Sequence, residues 1–400
     1  MKNFRKNQGI TLIALVITVI VLLILAGVTI ATLTGDNGIL TRTSESKEKT
    51  EEAQEKEGLE LAITAARIGE DGYQVLNQTN IQNEVDNQFG SGKVVVVDKG
   101  EDTFTVIFVD SRKEYKITSN GIEKSIDWKN VMQNAEPPES QNEERNEGVI
   151  GIGTDGKAVD MDLWEYTLYN GTYILNDLAD IEDTEGINET KGYLGNIVDG
   201  EIEGTVPQYI KTSQDKDFIA VTNMKDTFLG IDTLKVMPEI PSTITDMQST
   251  FSRCTSLITF EKLPSSVINM KWTFLQCSSL EYAELPCRVA NLFATFNNCN
   301  SLKSISKIPE TVINMQSTFI YCYSLETAPT IPEKVENLNR TFKDCKKLNG
   351  TIEINASNLS SYEECFDGVC TNSNKKLKLK GTCPILNEIV TYTNNQNITL

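Results

Sequence analysis

The chain has 400 residues, enough for two or three domains, and sets 56 acidic against 37 basic side chains for a formal net charge of −19. Such a surface repels nucleic-acid phosphates, so no nucleic-acid partner is expected. Histidine is absent, which removes Ser-His-Asp and Cys-His catalysis together with the commonest metal ligand; no acidic pair stands out either, so the expectation is a protein without catalytic residues, metal or cofactor.

The first element is "KNQGITLIALVITVIVLLILAGVTI", Lys6 to Ile30. From Ile10 to Leu33 the only non-apolar residues are threonines and one glycine, matching the roughly 20 helical residues that cross a ~30 Å hydrocarbon core. A secretory h-region is shorter, about 7–15 residues, although Ala26, Gly27 and Ala31 also offer small side chains to a signal peptidase. Lys2, Arg5 and Lys6 precede the run, and the positive-inside rule keeps them cytoplasmic and the remainder outside.

Lys-Asn-Gln-Gly followed by Ile-Thr-Leu-Ile resembles the leader of type IV prepilins and type II secretion pseudopilins. The resemblance implies a prepilin-type peptidase as partner, cleavage between Gly9 and Ile10, methylation of the new amino terminus, and a helix held in membrane lipid. The fifth mature position, usually glutamate in that family, is Ala14; a membrane carboxylate is costly unless paired, and its absence bears on filament assembly rather than on processing. The plainer reading is a single membrane anchor that happens to carry a glycine.

Beyond the apolar run, Leu59, Ala62, Ile63 and Ala66 fall at i, i+3, i+4 and i+7, one face of a helix, with Gly35 to Gly38 as a weak point before it. "GKVVVVDKGEDTFTVIFVDSRKEYKITSNGIEKS" reads as three strands split at Lys99-Gly100 and Asp110-Ser111, with Asn120-Gly121 as a turn. A long helix on a small antiparallel sheet is also what pilin-like proteins have. "NAEPPESQNEERNEG", Asn134 to Gly148, reads as a solvated linker. "GIGTDG", Gly151 to Gly156, matches the glycines of a dinucleotide fingerprint, but β-prone sequence follows where a helix is needed, so Asp155-Gly156 reads as a hairpin turn. Trp164, Tyr166, Tyr169 and Tyr173 then fall on core or sheet faces of a small β-rich module.

A repeat opens at Met224. Phe228, Phe251, Phe274, Phe296, Phe319 and Phe342 are spaced by 23, 23, 22, 23 and 23 residues. A Thr precedes each. Ile231, Cys254, Cys277, Cys299, Cys322 and Cys345 lie three residues after, and Leu234 through Leu348 six after. Pro241, Pro264, Pro286, Pro309 and Pro332 recur in register, followed by Ile244, Val267, Val289, Val312 and Val335, and each unit closes on Asp246, Asn269, Asn291, Asn314 or Asn337; a degenerate seventh unit lies at Tyr362 to Phe366. Each unit has too few apolar positions to fold alone, whereas stacked columns make one core: a solenoid. "MQSTFSRCTSLITFEKLPSSVIN" resembles the BspA-like leucine-rich repeats of bacterial surface proteins, with Thr before Phe where Met is commoner. The resemblance covers Met224 to about Leu379 and implies a right-handed stack of coils, each with a short β-strand, that binds a host, matrix or bacterial surface protein or glycan.

Five of nine cysteines lie in the repeat column, where Ile231 is equivalent, so a buried thiol is expected there; without CxxC or histidine, zinc is not. Cys365, Cys370 and Cys383 are where a disulfide could form. Between the fixed columns, Trp272, Leu275, Tyr282, Phe293, Ile320, Tyr321 and Tyr323 are not required by the core pattern, and Trp272, Phe293, Tyr321 and Tyr323 are the candidate binding residues of one exposed face.

The expected architecture is thus α+β and multidomain: a leader over 1–9, a membrane-spanning pilin-like helix and small antiparallel sheet over 10–125, a linker over 126–148, a β-rich spacer over 149–215, and a leucine-rich-repeat solenoid with its cap over 216–400. The function expected is surface-displayed interaction or adhesion; the alternative is a minor pilin or pseudopilin of a type IV pilus or type II secretion-like machine. Intact-mass analysis of the membrane fraction should find a mature chain starting at Ile10, and Gly9→Val should abolish that cut, since glycine lets the backbone approach the peptidase closely. A terminus near Val28 or Thr32 would indicate ordinary secretion.

Overall fold

The computed structural model describes residues 39–400, apart from 70–71, 119–120, 128–130, 133, 136–145, 147, 177–191, 259–261, 371–375 and 394. Gly9, Ile10 and the apolar run to Leu33 lie outside the described residues; among those described, no helix is long and apolar enough to cross a membrane. The chain divides into two compact units between Ala62 and Ile63. Helix α1 (Ile39–Arg67) occupies the described part of the first and runs into the second, and Leu59, Ala62, Ile63 and Ala66 are all buried.

The second unit opens with the ladder of β1 (Ile68–Gly69) and β2 (Gly72–Tyr73), then α2 (Gln78–Phe89). The sequence pattern did not reveal α2, because its buried face is Ile81, Gln82 and Val85, with a glutamine where periodicity needs an apolar side chain. A reciprocal capping box starts it: the Asn80 N–H donates to Asn77 Oδ1 and the Asn77 N–H to Asn80 Oδ1, both at 2.9 Å. Helix α2 packs on a sheet of β3 (Val94–Gly100), β4 (Thr103–Phe108), β5 (Lys113–Thr118) and β6 (Gly121–Asp127), antiparallel in that order. Three strands were expected; the residues after Gly121 add a fourth, paired with β5.

Edge strand β3 is covered rather than open. The Val96 N–H donates to Gln82 Oε1 and Ser265 Oγ, at 2.9 and 3.0 Å, while the Ser265 N–H returns to the Val96 carbonyl at 3.3 Å. Ion pairs Arg288–Asp86, Lys262–Asp98 and Lys99–Glu239 flank this seam. The sheet therefore docks on the repeat region through an edge that would otherwise invite foreign strands.

Strands β7 (Ile150–Gly153), β8 (Ala158–Val159), β9 (Thr167–Tyr169) and β10 (Thr172–Ile174) follow, then the small hairpin β11 (Ile197–Val198) and β12 (Glu201–Ile202), then β13 (Pro207–Lys211) and β14 (Ile219–Asn223). Six of them form a sheet in the order β8-β7-β13-β14-β10-β9. The glycine-rich stretch makes the β7–β8 hairpin, and Gly151 is there for packing: a Cβ would sit 2.3 Å from Met161 Sδ. Asn170 and Gly171, at φ 49° and 81°, form the primed turn between β9 and β10. This segment is not a spacer. Trp164 and Tyr193 lie against the first repeat ring, Phe228, at centroid distances of 6.0 and 5.5 Å, and their core is continuous with that of the repeats. A stack with an open apolar end needs such a cap.

In the repeats, the rings from Phe228 to Phe366 stack coil on coil at 5.2–5.7 Å, within 13° of parallel. The backbone supplies the ladder. In one coil the N–H groups of Met247, Ser249, Phe251 and Arg253 donate to carbonyls of the next coil at 2.7–3.0 Å, while those of Thr250, Ser252 and Cys254 close turns within the coil. Sending alternate N–H groups up and back requires left-handed residues two before and two after each Phe: Ser249 and Arg253, Trp272 and Gln276, Ala294 and Asn298, Ser317 and Tyr321, Arg340 and Asp344, all at φ 50–64°. In most coils this replaces the expected β-strand; parallel contact there is mostly single bridges at the Asp and Asn column, with β15 (Tyr282–Ala283) and β16 (Ser304–Ile305), and the parallel ladder over 350–353, 377–380 and 398–399, as the exceptions.

Side chains repeat the ladder. Thr250, Thr273, Thr295, Thr318 and Thr341 each donate Oγ1 to a carbonyl of the preceding coil at 2.7–2.9 Å. Cys254, Cys277, Cys299, Cys322 and Cys345 each donate Sγ to the preceding Phe carbonyl at 3.0–3.1 Å. Asp246, Asn269, Asn291, Asn314 and Asn337 accept the N–H two residues on, an Asx turn that starts each coil. The far end closes with β17 (Gly350–Glu353), β18 (Leu377–Lys380), helix α3 (Leu386–Thr393) and β19 (Ile398–Thr399), where Tyr392 meets Tyr362 edge-on.

Truncating a ring in the middle of this column should be severe. Phe296→Ala is expected to destabilise the second unit by about 3–5 kcal/mol, whereas Gln316→Ala, on the half-exposed rim, should change stability by under about 0.5 kcal/mol. Chemical denaturation of the two variants distinguishes them; equal midpoints would refute the register.

A candidate aromatic interaction surface

The coil fixes backbone and core, leaving a few positions whose side chains the fold does not dictate. Trp272 holds the left-handed position two before Phe274, occupied in other coils by Asp226, Ser249, Ala294, Ser317 and Arg340. Phe293 stands where other coils have Lys225, Gln248, Lys271, Gln316 and Asn339. The structure brings these two together across adjacent coils: the Trp272 N–H donates to the Phe293 carbonyl at 2.9 Å, and the rings meet edge to face at 5.5 Å. Lys271 Nζ lies 4.0 Å from the Trp272 centroid and 5.6 Å from that of Phe293, a cation on two π faces. Both rings are half-exposed.

Tyr321 and Tyr323 form a second pair, with ring centroids 6.0 Å apart and Lys346 Nζ 4.7 Å above Tyr323. Their columns otherwise carry Arg253, Gln276, Asn298 and Asp344, or Asp232, Thr255, Ser278 and Asn300. Among the described residues no ring contact joins the pairs, so the candidate residues form two aromatic-lysine clusters. Ile320 is buried and belongs to the core, Leu275 is half-buried, and Tyr282 is exposed on β15. The lysines were the part sequence reading missed: Lys271 adjoins Trp272, and Lys346 sits one repeat beyond Tyr323 in the same column.

All nine cysteines carry thiols, including Cys365, Cys370 and Cys383, so the disulfide considered near the cap is not formed. Burial pushes the thiols of Cys277, Cys299, Cys322 and Cys345 well above their ordinary value and that of Cys287 up to about 11. Among the described residues no group of three or more Cys, Asp or Glu is placed to hold a metal.

Residues 225–349 and 315–399 match the BspA type leucine-rich repeat region, in six copies. The match spans the repeats and less than half of the chain. Solved structures similar to the chain include a Leucine Rich Repeat protein of T. pallidum, 19% identical with TM-score 0.35, covering 59% of this chain and 95% of that one. A leucine rich cell surface protein of Faecalibacterium prausnitzii is 17% identical with TM-score 0.33, covering 54% and 58%. A leucine-rich repeat protein of Bacteroides ovatus is 16% identical with TM-score 0.23, covering 55% and 70%. No curated protein matches the chain.

The thiol column makes stability pH-dependent. A thiol held protonated in the folded state adds stability that is complete below the ordinary value of 9.0 and is lost as pH rises toward the raised folded value, about 11 for Cys287. The denaturation midpoint should therefore fall from pH 9 to 11. Cys299→Val, which copies the Ile231 solution, should flatten that slope by about 1.4 kcal/mol per pH unit; parallel slopes would contradict the assignment.

Proposed function

We propose that this chain is a bacterial cell-surface interaction or adhesion protein, anchored in membrane lipid by a pilin-like N-terminal helix after cleavage between Gly9 and Ile10, and presenting a leucine-rich-repeat solenoid to its ligand. The observation that carries the reading is the Lys271–Trp272–Phe293 cluster. Two large rings stand half in solvent at positions where neighbouring coils have small or polar residues, and rings in excess of what a core needs concentrate binding energy. A π face beside an ammonium group suits a protein or glycan of a host, matrix or bacterial surface: the ring stacks on an apolar or sugar face and the cation meets a carboxylate or hydroxyl. Tyr321, Tyr323 and Lys346 extend the same chemistry. BspA-type repeats are interaction scaffolds, which fits a role without catalysis.

The second reading, a minor pilin or pseudopilin, draws on the same leader and on the four-stranded antiparallel sheet beside α2; Ala14 in place of glutamate weighs against it.

The full chain and its Trp272→Ala/Phe293→Ala/Tyr321→Ala variant should be compared for binding to candidate cell surfaces and for thermal stability. Loss of at least about tenfold in affinity, equivalent to 1.4 kcal/mol, with the melting midpoint kept supports the proposal. A collapsed midpoint would assign the rings to the core, and unchanged binding would remove them from the site.

A further inference from the structure

The chain is acidic as a whole, yet its last coils are not. Residues 340–380 hold eight Lys and Arg against five Asp and Glu, while the rest of the chain sets 29 against 51. Three of the eight are tied to carboxylates: Arg340 and Lys343 reach Glu364, and Lys380 reaches Glu353. Lys376 and Lys378 make no ion pair among the described residues. Strand β18 sets their direction: Leu377 and Leu379 are buried, so Lys376, Lys378 and Lys380 point outward in a row, about 7 Å apart at the rise of a strand. This row adjoins the Tyr321–Tyr323 pair. Lys346 Nζ lies 4.7 Å from the Tyr323 centroid, Lys347 follows it, and the Gly350 N–H just beyond donates to the Lys376 carbonyl at 2.9 Å. Tyr323, Lys346, Lys347, Lys376 and Lys378 are all exposed.

We propose that this strip binds a linear carboxylated glycan, with sugars stacked on Tyr321 and Tyr323 and carboxylates on Lys346, Lys347, Lys376 and Lys378. The sign of the ligand follows from the patch: screening confines attraction to about 8 Å at physiological salt, so an anion is held where the lysines are and repelled by the acidic remainder. The rings decide which anion. Neither tyrosine hydroxyl has a hydrogen-bond partner among the described residues, and a sugar offers an apolar C–H face to the ring together with hydroxyls for its polar end. An acidic peptide would use the lysines alone. The proposal rests on the surface-interaction reading of Tyr321, Tyr323 and Lys346 and names the ligand class for that cluster.

The test measures calorimetric binding of oligogalacturonate to the full chain in detergent. The same oligomer fully methyl-esterified is the uncharged control, and polyglutamate is the acidic peptide. Both should bind at least about tenfold more weakly than oligogalacturonate. Lys376→Gln/Lys378→Gln should weaken oligogalacturonate binding about tenfold with the circular-dichroism melt retained. Lys93→Gln/Lys157→Gln removes the same charge from exposed positions outside the repeats and should change binding by less than about twofold. Tyr323→Ala should cost about fivefold; should it not fold, the outward lysine pair still carries the test. No binding of oligogalacturonate, equal binding of polyglutamate, or equal loss in the two lysine pairs would overturn the proposal. Cell-surface binding of the same preparation separates the two readings. Present without oligogalacturonate binding, it overturns this proposal alone; absent while oligogalacturonate binds, it supports the ligand class and counts against the surface reading.

Discussion

Everything in the repeat region follows from one constraint: alternate backbone N–H groups of each coil must point to the next coil while the intervening ones turn back within their own. For residues with a Cβ this requires left-handed backbone at two places per coil, which costs about 1–2 kcal/mol each. It persists because each left-handed residue donates a hydrogen bond that no other geometry would make, as Ser249 does to Lys271 and Arg253 to Leu275. Repeating the same coil brings like side chains into columns, so the Phe rings stack, and the Thr hydroxyls and Cys thiols find carbonyls one coil back. The cysteines are thus part of the polar ladder inside an apolar core, and their burial makes them poor nucleophiles.

A ladder of this kind has two ends and a flank, and the rest of the second unit deals with them. Trp164 and Tyr193 close the first end by laying rings on Phe228, while Leu175 and Tyr193 N–H groups meet the carbonyls of Asn223 and Thr227. At the other end Phe366 extends the column and the residues around α3 close it. Along the flank, the small sheet docks with its own edge strand, matching Val96 to Ser265 through backbone and side chain. Segments that read separately along the chain share one packing problem.

The columns were legible because they reuse one residue type at a fixed spacing, and burial of Phe, Cys, Leu and Val in every complete coil is what spacing predicts. The backbone device was not legible. Only Gly230 and Gly368 mark the left-handed positions in the sequence; the others are Ser, Trp, Ala, Arg, Gln, Asn, Tyr, Asp and Glu. Helix α2 was hidden by Gln82, whose buried amide serves the β3 edge in place of an apolar side chain. Trp164 and Tyr193 could not be recognised as caps, because an aromatic that covers a stack looks in sequence like any core aromatic. Of the interaction surface, the rings were visible as exceptions to the columns. Their sorting into two pairs, each with its lysine, depends on coil geometry and was not.

The central claim is that the β-rich segment, the sheet edge and the repeats are one cooperative body built on the inter-coil ladder. Hydrogen exchange of the full chain in detergent, followed peptide by peptide across a denaturant series, tests it directly. The account predicts that the amides of Val96, Ile210, Ser249, Trp272 and Ala294 lose protection together in a single opening. Separate opening of residues 149–215 at a denaturant concentration well below that of the repeats would contradict it.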